Sequence, residues 1–251
     1  MDGNAINKSL NERGFLSPAI EFVQAQYRRE YSQAFSEVEE LSDIAQALMM
    51  AAGIRRNEIH MLASLVFLQR AIRNCQAAII LCERGMVVEA QTLTRTALEV
   101  TFYAAALIKD ASVYSKIERS GNIAERKQAN GIIGTGSTLG LTEDQRVVLQ
   151  PVIQRGEGDD GKFDAYQAAG VAGLLPLYET IYRGFSGTAS HATFRSLDSS
   201  FVETEDGFSL VSGPTTYHLE FTLGILKTCL ALPMQLLREN FEFDDLAPHA
   251  G

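Results

Sequence analysis

Gln91, Arg95, Glu99 and Tyr103 recur at intervals of four in a stretch otherwise made of aliphatic, aromatic, threonine and short polar residues. On a helix that spacing sets them one above another along a single, slightly drifting stripe. An arginine four residues before a glutamate on such a stripe has two readings. On a solvated face it is an ordinary ion pair contributing roughly a few tenths of a kcal/mol. Inside the fold it is a hydrogen-bonded pair that either specifies packing or forms a binding locus. The apolar run TALEVTFYAAALI over 96–108 favours the interior pair.

A second group follows at Tyr178, Tyr182, Arg183, Ser186, Ser190 and His191, where Gly184, Gly187 and Ala189 are expected to let the backbone approach a neighbour closely. Ser190 and Thr193 offer His191 hydroxyl partners that can fix its tautomer. A serine nucleophile does not follow from this. Adjacent helical residues point about 100° apart, no G-x-S-x-G elbow is present, and no strand pattern precedes the segment. A structural imidazole packed at a helix end competes with a ligand contact.

Other chemistry finds little support. A helical di-iron site needs Glu-x-x-His pairs, yet His60 follows Glu58 at the wrong spacing, and His191, His218 and His249 have no glutamate three residues upstream. No metal and no cofactor are expected. GIIGTGSTLG at 131–140 lacks the Gly-Lys-Ser/Thr of a phosphate loop and reads as a flexible loop. Arg55 and His60, with four residues between them, fit the spacing of helical toxin-type endoribonucleases, but a chain this rich in arginine with four histidines produces such a match by chance.

Gly85, Glu89-Ala90, Leu93, Arg95 and Leu98-Glu99, followed by Tyr182, Ser186 and His191, carry a resemblance to a family of uncharacterised all-helical bacterial proteins described as a domain of unknown function. The shared pattern is a G-x3-E-A-x2-L-x-R-x3-E helix and a Tyr/Ser/His segment, over roughly residues 60–110 and 175–200. It implies an all-α bundle in which Arg95, Glu99, Tyr182 and His191 share one interior locus, and it brings no established activity.

The elements that must position these groups are helices. The first 14 residues are polar and expected to be a loose tail. Ser17-Pro18 then starts a helix in which Tyr27, Tyr31, Ala34, Val38, Leu41, Ala45 and Leu48 advance by three or four toward Gly53. A second helix over 55–84 ends at Gly85, and the third resumes at once over 86–109, so the two must pack antiparallel. Further helices are expected over 112–130, 143–154 and 163–187, the last with a kink or fresh start at Pro176, and a final one follows Pro214. Between them, Phe201–Glu205 and Phe208–Ser212 alternate around Asp206-Gly207, a hairpin signal.

The expected fold is therefore an all-α bundle of about seven helices with one small hairpin near 201–212, a single domain over 15–240, and an acidic flexible tail over 241–251. Thirty-one acidic against 22 basic side chains give a net charge of -9, which argues against nucleic acid as a partner. Three widely spaced cysteines make no disulfide framework, and no cationic-apolar leader is visible, so a reducing cytoplasm is expected. LEFTLGILKTCLALPMQLL is long enough to raise the membrane question, but Glu220, Lys227 and Gln235 fall inside it, and charges at a membrane helix centre cost about 2.5–3.5 kcal/mol each. The function expected is a cytoplasmic binding or interaction module, off the membrane, whose polar cluster takes a small-molecule ligand. Two alternatives stand beside it: a metal-independent ribonuclease or toxin-like phosphodiesterase using His191 with Arg95 or Arg183, and a purely structural homo-oligomer, a homodimer built on the long helices.

Overall fold

A computed structural model describes residues 3–53, 58–135, 140–155, 161–190, 193–204 and 207–243. Its helices are α1 (Gly3–Arg13), α2 (Ile20–Glu30), α3 (Ser32–Ala51), α4 (Ile59–Glu83), α5 (Val87–Lys109), α6 (Val113–Gly134), α7 (Glu143–Arg155), α8 (Ala165–Ala172), an irregular α9 over 175–190, and α10 (Leu219–Asn240). Ten helices among the described residues, rather than about seven, follow from three local events. Residues 3–13 form a helix where a loose tail is the sequence expectation. Tyr31, at ψ 31°, interrupts the ladder between α2 and α3. Gly173, at φ 78°, caps α8 in the left-handed region, so α9 starts afresh with Pro176 in its first turn, where a missing N–H costs nothing.

The chain reverses between α4 and α5 in three residues, and Ser64 near the start of α4 donates to the carbonyl of Ala104 near the end of α5, 3.1 Å away. The two helices are antiparallel neighbours at the centre of the bundle. Gly85 makes this turn possible with φ 74°. α5 is buried on most sides: Leu98, Phe102 and Leu107 are fully enclosed, together with Leu68 and Ile72 of α4 and Leu219, Leu223, Leu226, Leu230 and Leu237 of α10. α3 and α10 close one side of the pair, α8 and α9 lie along α5, and α6 carries α7 at the periphery. Residues 131–134, expected in a loop, complete the last turn of α6.

Two short antiparallel strand pairs complete the described fold. β1 (Ala52–Gly53) pairs with β4 (Glu242–Phe243), so part of the segment expected as a flexible acidic tail ties the end of α10 to the end of α3, with Phe241 buried. β2 (Phe201–Thr204) pairs with β3 (Gly207–Leu210) in a register that sets Thr204 opposite Gly207. The hairpin forms where the alternation places it. Of the Asp206-Gly207 pair expected at its turn, Gly207 is the first residue of β3, and residues 205 and 206 lie outside the described residues. α4 and α10 are long and apolar enough to cross a membrane by length and composition alone, and 44% of the most apolar window of each is buried in the bundle.

Candidate functional site

Arg95 projects from the middle of α5 toward α9, and three of its nitrogens are engaged. Nε donates to Ser186 Oγ at 2.7 Å, Nη2 to the Tyr182 hydroxyl at 2.5 Å, and Nη1 lies 3.1 Å from Glu99 Oε2. Tyr182 passes the chain on, its O–H donating to the same Glu99 oxygen at 3.0 Å, while Ser186 O–H donates to the Tyr182 carbonyl at 2.8 Å. Every hydroxyl in this circuit both accepts and donates, so its geometry is closed and directional. The guanidinium carbon also sits 4.4 Å from the Tyr182 ring centroid, and the Tyr178 ring stacks on that of Tyr182 with centroids 4.8 Å apart. Burial, and then the nearby Glu99 charge, push the Tyr182 phenol well above its usual range, so it stays protonated as a donor.

The local fold of α9 presents these two groups. Its turns at Tyr178–Tyr182 and Ser186–Ser190 are of the wide i→i+5 kind, with Arg183–Phe185 between them. Such widened turns occur mostly as single insertions in helices and frequently at functional sites. Gly184 and Gly187 are not sites of close approach, since a Cβ at either would meet open space.

The pair is not fully interior. Side-chain exposure is 18% for Arg95 and 33% for Glu99, and both line a cavity of about 490 Å³ between α4, α5 and α6. Arg70 from α4 brings a second guanidinium to this cavity, Ser120 from α6 a hydroxyl, and Phe67, Tyr103 and Phe163 an aromatic wall with successive ring centroids 5.9 Å apart. Tyr103 donates to the Phe163 carbonyl at 3.3 Å, and burial followed by the Glu99 and Asp164 charges raises its phenol to about 12.

Of the residues singled out from sequence, Arg95, Glu99, Tyr182 and Ser186 come together, and Tyr103 joins them as cavity wall. Gln91 does not: it turns to α10, where Nε2 donates to Thr222 Oγ1 at 3.1 Å. Arg183 faces solvent and pairs with Glu179 at 2.7 Å. Ser190 lies near a different cavity, of about 400 Å³, beside the start of α5, with its buried Oγ unpartnered among the described residues. His191 lies outside the described residues, as does Arg55. Arg70, Ser120 and Phe163 were not legible as site residues, because a lone arginine or serine on a helix looks like any solvated position until its neighbours are known.

The sequence model of a family of unknown function, DUF5677, matches residues 61–208, more than half of the chain. The chain belongs to this family. No curated protein and no solved structure matches it. The DUF5677 match runs from the first turn of α4 into β3, so the whole Arg95 circuit and the cavity it opens on lie inside the family's span, whereas α10 lies beyond it.

Proposed function

We propose that this protein is a small-molecule binding module whose ligand occupies the cavity between α4, α5 and α6. The observation that carries this reading is the arrangement of Arg95. Its guanidinium is held by Ser186, Tyr182 and Glu99 before any ligand arrives, and it borders a cavity of about 490 Å³, within the usual size range of ligand pockets. A site fixed in advance loses little ordering entropy on binding.

The charges define the ligand class. Arg70 and Arg95 outnumber Glu99 along the lining, a locally basic spot in a chain of net charge -9. A compact anion with an apolar or aromatic body satisfies Arg70 and packs on Phe67, Tyr103 and Phe163. The acidic remainder of the surface disfavours a polyanion such as nucleic acid. On this reading the protein acts in the cytoplasm, off the membrane: Cys75, Cys82 and Cys229 are free thiols, Lys227 of α10 pairs with Glu37 of α3, and α4 packs along α5.

Thermal unfolding with and without benzoate, phenyl phosphate and related aromatic anions tests this. At least one is expected to raise the melting temperature by mass action, and Arg70→Ala, exposed and outside the Arg95 circuit, is expected to fold like wild type and lose the shift. An unresponsive wild type, or a full response in Arg70→Ala, overturns it.

A further inference from the structure

Gln91, displaced from the Arg95 circuit, is 6% exposed and lines a separate cavity of about 280 Å³ between α5, α9 and the start of α10. Its orientation is fixed by its neighbour. Thr222 Oγ1 spends its proton on the His218 carbonyl at 2.8 Å, so it can only accept from Gln91, and the Gln91 amide nitrogen must face it. The Gln91 oxygen then has no hydrogen bond among the described residues. Gln91 lines the cavity and its oxygen is not one of the enclosed unpartnered atoms of the described fold, so it is open to accept from a donor held in that space.

The remaining lining supplies faces for a flat ring. Phe185 is 5% exposed at the floor, while Tyr217 and Phe221 are each 54% exposed at the lip. His218 stands between them, its ring centroid 3.9 Å from that of Tyr217 and 6.0 Å from that of Phe221. It is the one non-glycine residue with positive φ, 61°, among the described residues, and it makes no side-chain cap to α10. His218 is the N-cap residue of α10, its carbonyl accepting the Thr222 N–H at 2.9 Å, and its imidazole, free of any capping bond, lies among aromatic rings. No lysine, arginine, aspartate or glutamate is among the described lining residues.

We propose that this cavity is a second binding site, for an uncharged planar heteroaromatic ring of the nucleobase type. The ring stacks on Phe221 and His218, and an amino or imide N–H on its edge donates to Gln91 Oε1, with the second hydrogen of Nε2 free for an adjacent ring acceptor. The volume takes one ring system, and the absence of cations in the described lining leaves a phosphate with no partner. Because α10 lies beyond the matched span of the family, the site depends on residues outside that span.

The test is titration calorimetry and saturation-transfer NMR with adenine, cytosine and uracil on the full chain. At least one base is expected to bind, and Phe221→Ala to weaken it by about tenfold or more, since base–aromatic stacking is lost while a half-exposed side chain is removed. His218→Gly, which keeps the left-handed backbone without strain, is expected to retain the melting temperature and weaken binding. Arg70→Ala is expected to bind the base as wild type does, which separates this site from the anion cavity. No binding of any of the three bases at millimolar concentration, binding unchanged in both Phe221→Ala and His218→Gly, or binding lost in Arg70→Ala overturns the proposal.

Discussion

A methyl group placed on Gly85 would lie 2.8 Å from the Cβ of Pro214 and 2.8 Å from the backbone nitrogen of Thr215. The turn between α4 and α5 is thus both a left-handed corner, at φ 74°, and the seat of the segment that leads into α10, fastened by the Thr215 N–H donating to the Gly85 carbonyl at 3.1 Å. Gly85→Ala meets the steric cost of positive φ and backbone crowding together, and is expected to lose about 3 kcal/mol. An unchanged urea midpoint would show that the 214–215 segment can move away freely.

Arg95 lies between the exposed and the fully interior cases. Exposed pairs contribute less than about 1 kcal/mol and broken buried pairs cost about 3–5, so Arg95→Met is expected to cost roughly 2 kcal/mol. Tyr182→Phe keeps the ring and removes one acceptor and one donor, for about 1–2 kcal/mol. Chemical denaturation of both variants checks the order; a larger loss in Tyr182→Phe than in Arg95→Met contradicts the circuit.

Glu83 at the end of α4 is 6% exposed and accepts from Gln24 at 2.6 Å and from Arg28, which also holds Glu39 of α3. Removing the cation leaves a buried carboxylate without its charge partner, so Arg28→Ala is expected to cost about 3 kcal/mol, and adding Glu83→Gln to it should recover part of that. Equal stability of the single and double variants would place the energy elsewhere.

Burial raises the Cys75 and Cys82 thiols from 9.0 to about 12, and the Tyr103 phenol from 10.0 to about 12. Each neutral form is favoured in the folded chain, so the unfolded chain releases these protons first. The contribution of these groups to stability is therefore fully present below pH 9.0 and is lost as pH rises toward about 12. Urea midpoints across that interval should decline, less steeply in Cys75→Ala. A thiol reagent at neutral pH should react with the native protein slowly and with the unfolded protein at once.

Gly207, at φ 130°, stands opposite Thr204 as the first residue of β3, and the described side chains of this hairpin are exposed. Gly207→Val is expected to remove amide protection between residues 201 and 210 while shifting global stability by less than about 1 kcal/mol, because little core is coupled to it. A global loss would mean that the hairpin is part of the cooperative unit.

The periodicity of apolar residues by itself determined that this chain is helical, that α4 and α5 form a tight hairpin about Gly85, and that α5 lies at the centre. These are local matters of spacing, capping and turn chemistry. The Arg95–Glu99 pair was equally legible, since four residues along a helix make neighbours. Which partner each polar group meets was decided only by the tertiary structure. At 3.6 residues per turn a step of four drifts by about 40°, so Gln91 and Tyr103, three steps apart, differ by about 120° around the axis. One therefore faces Thr222 of α10 and the other the carbonyl of Phe163, while Arg95 between them meets Tyr182 and Ser186 of α9. The break at Tyr31 and the contribution of Arg70 to the cavity depend on the same long-range packing, and no spacing along the chain encodes them.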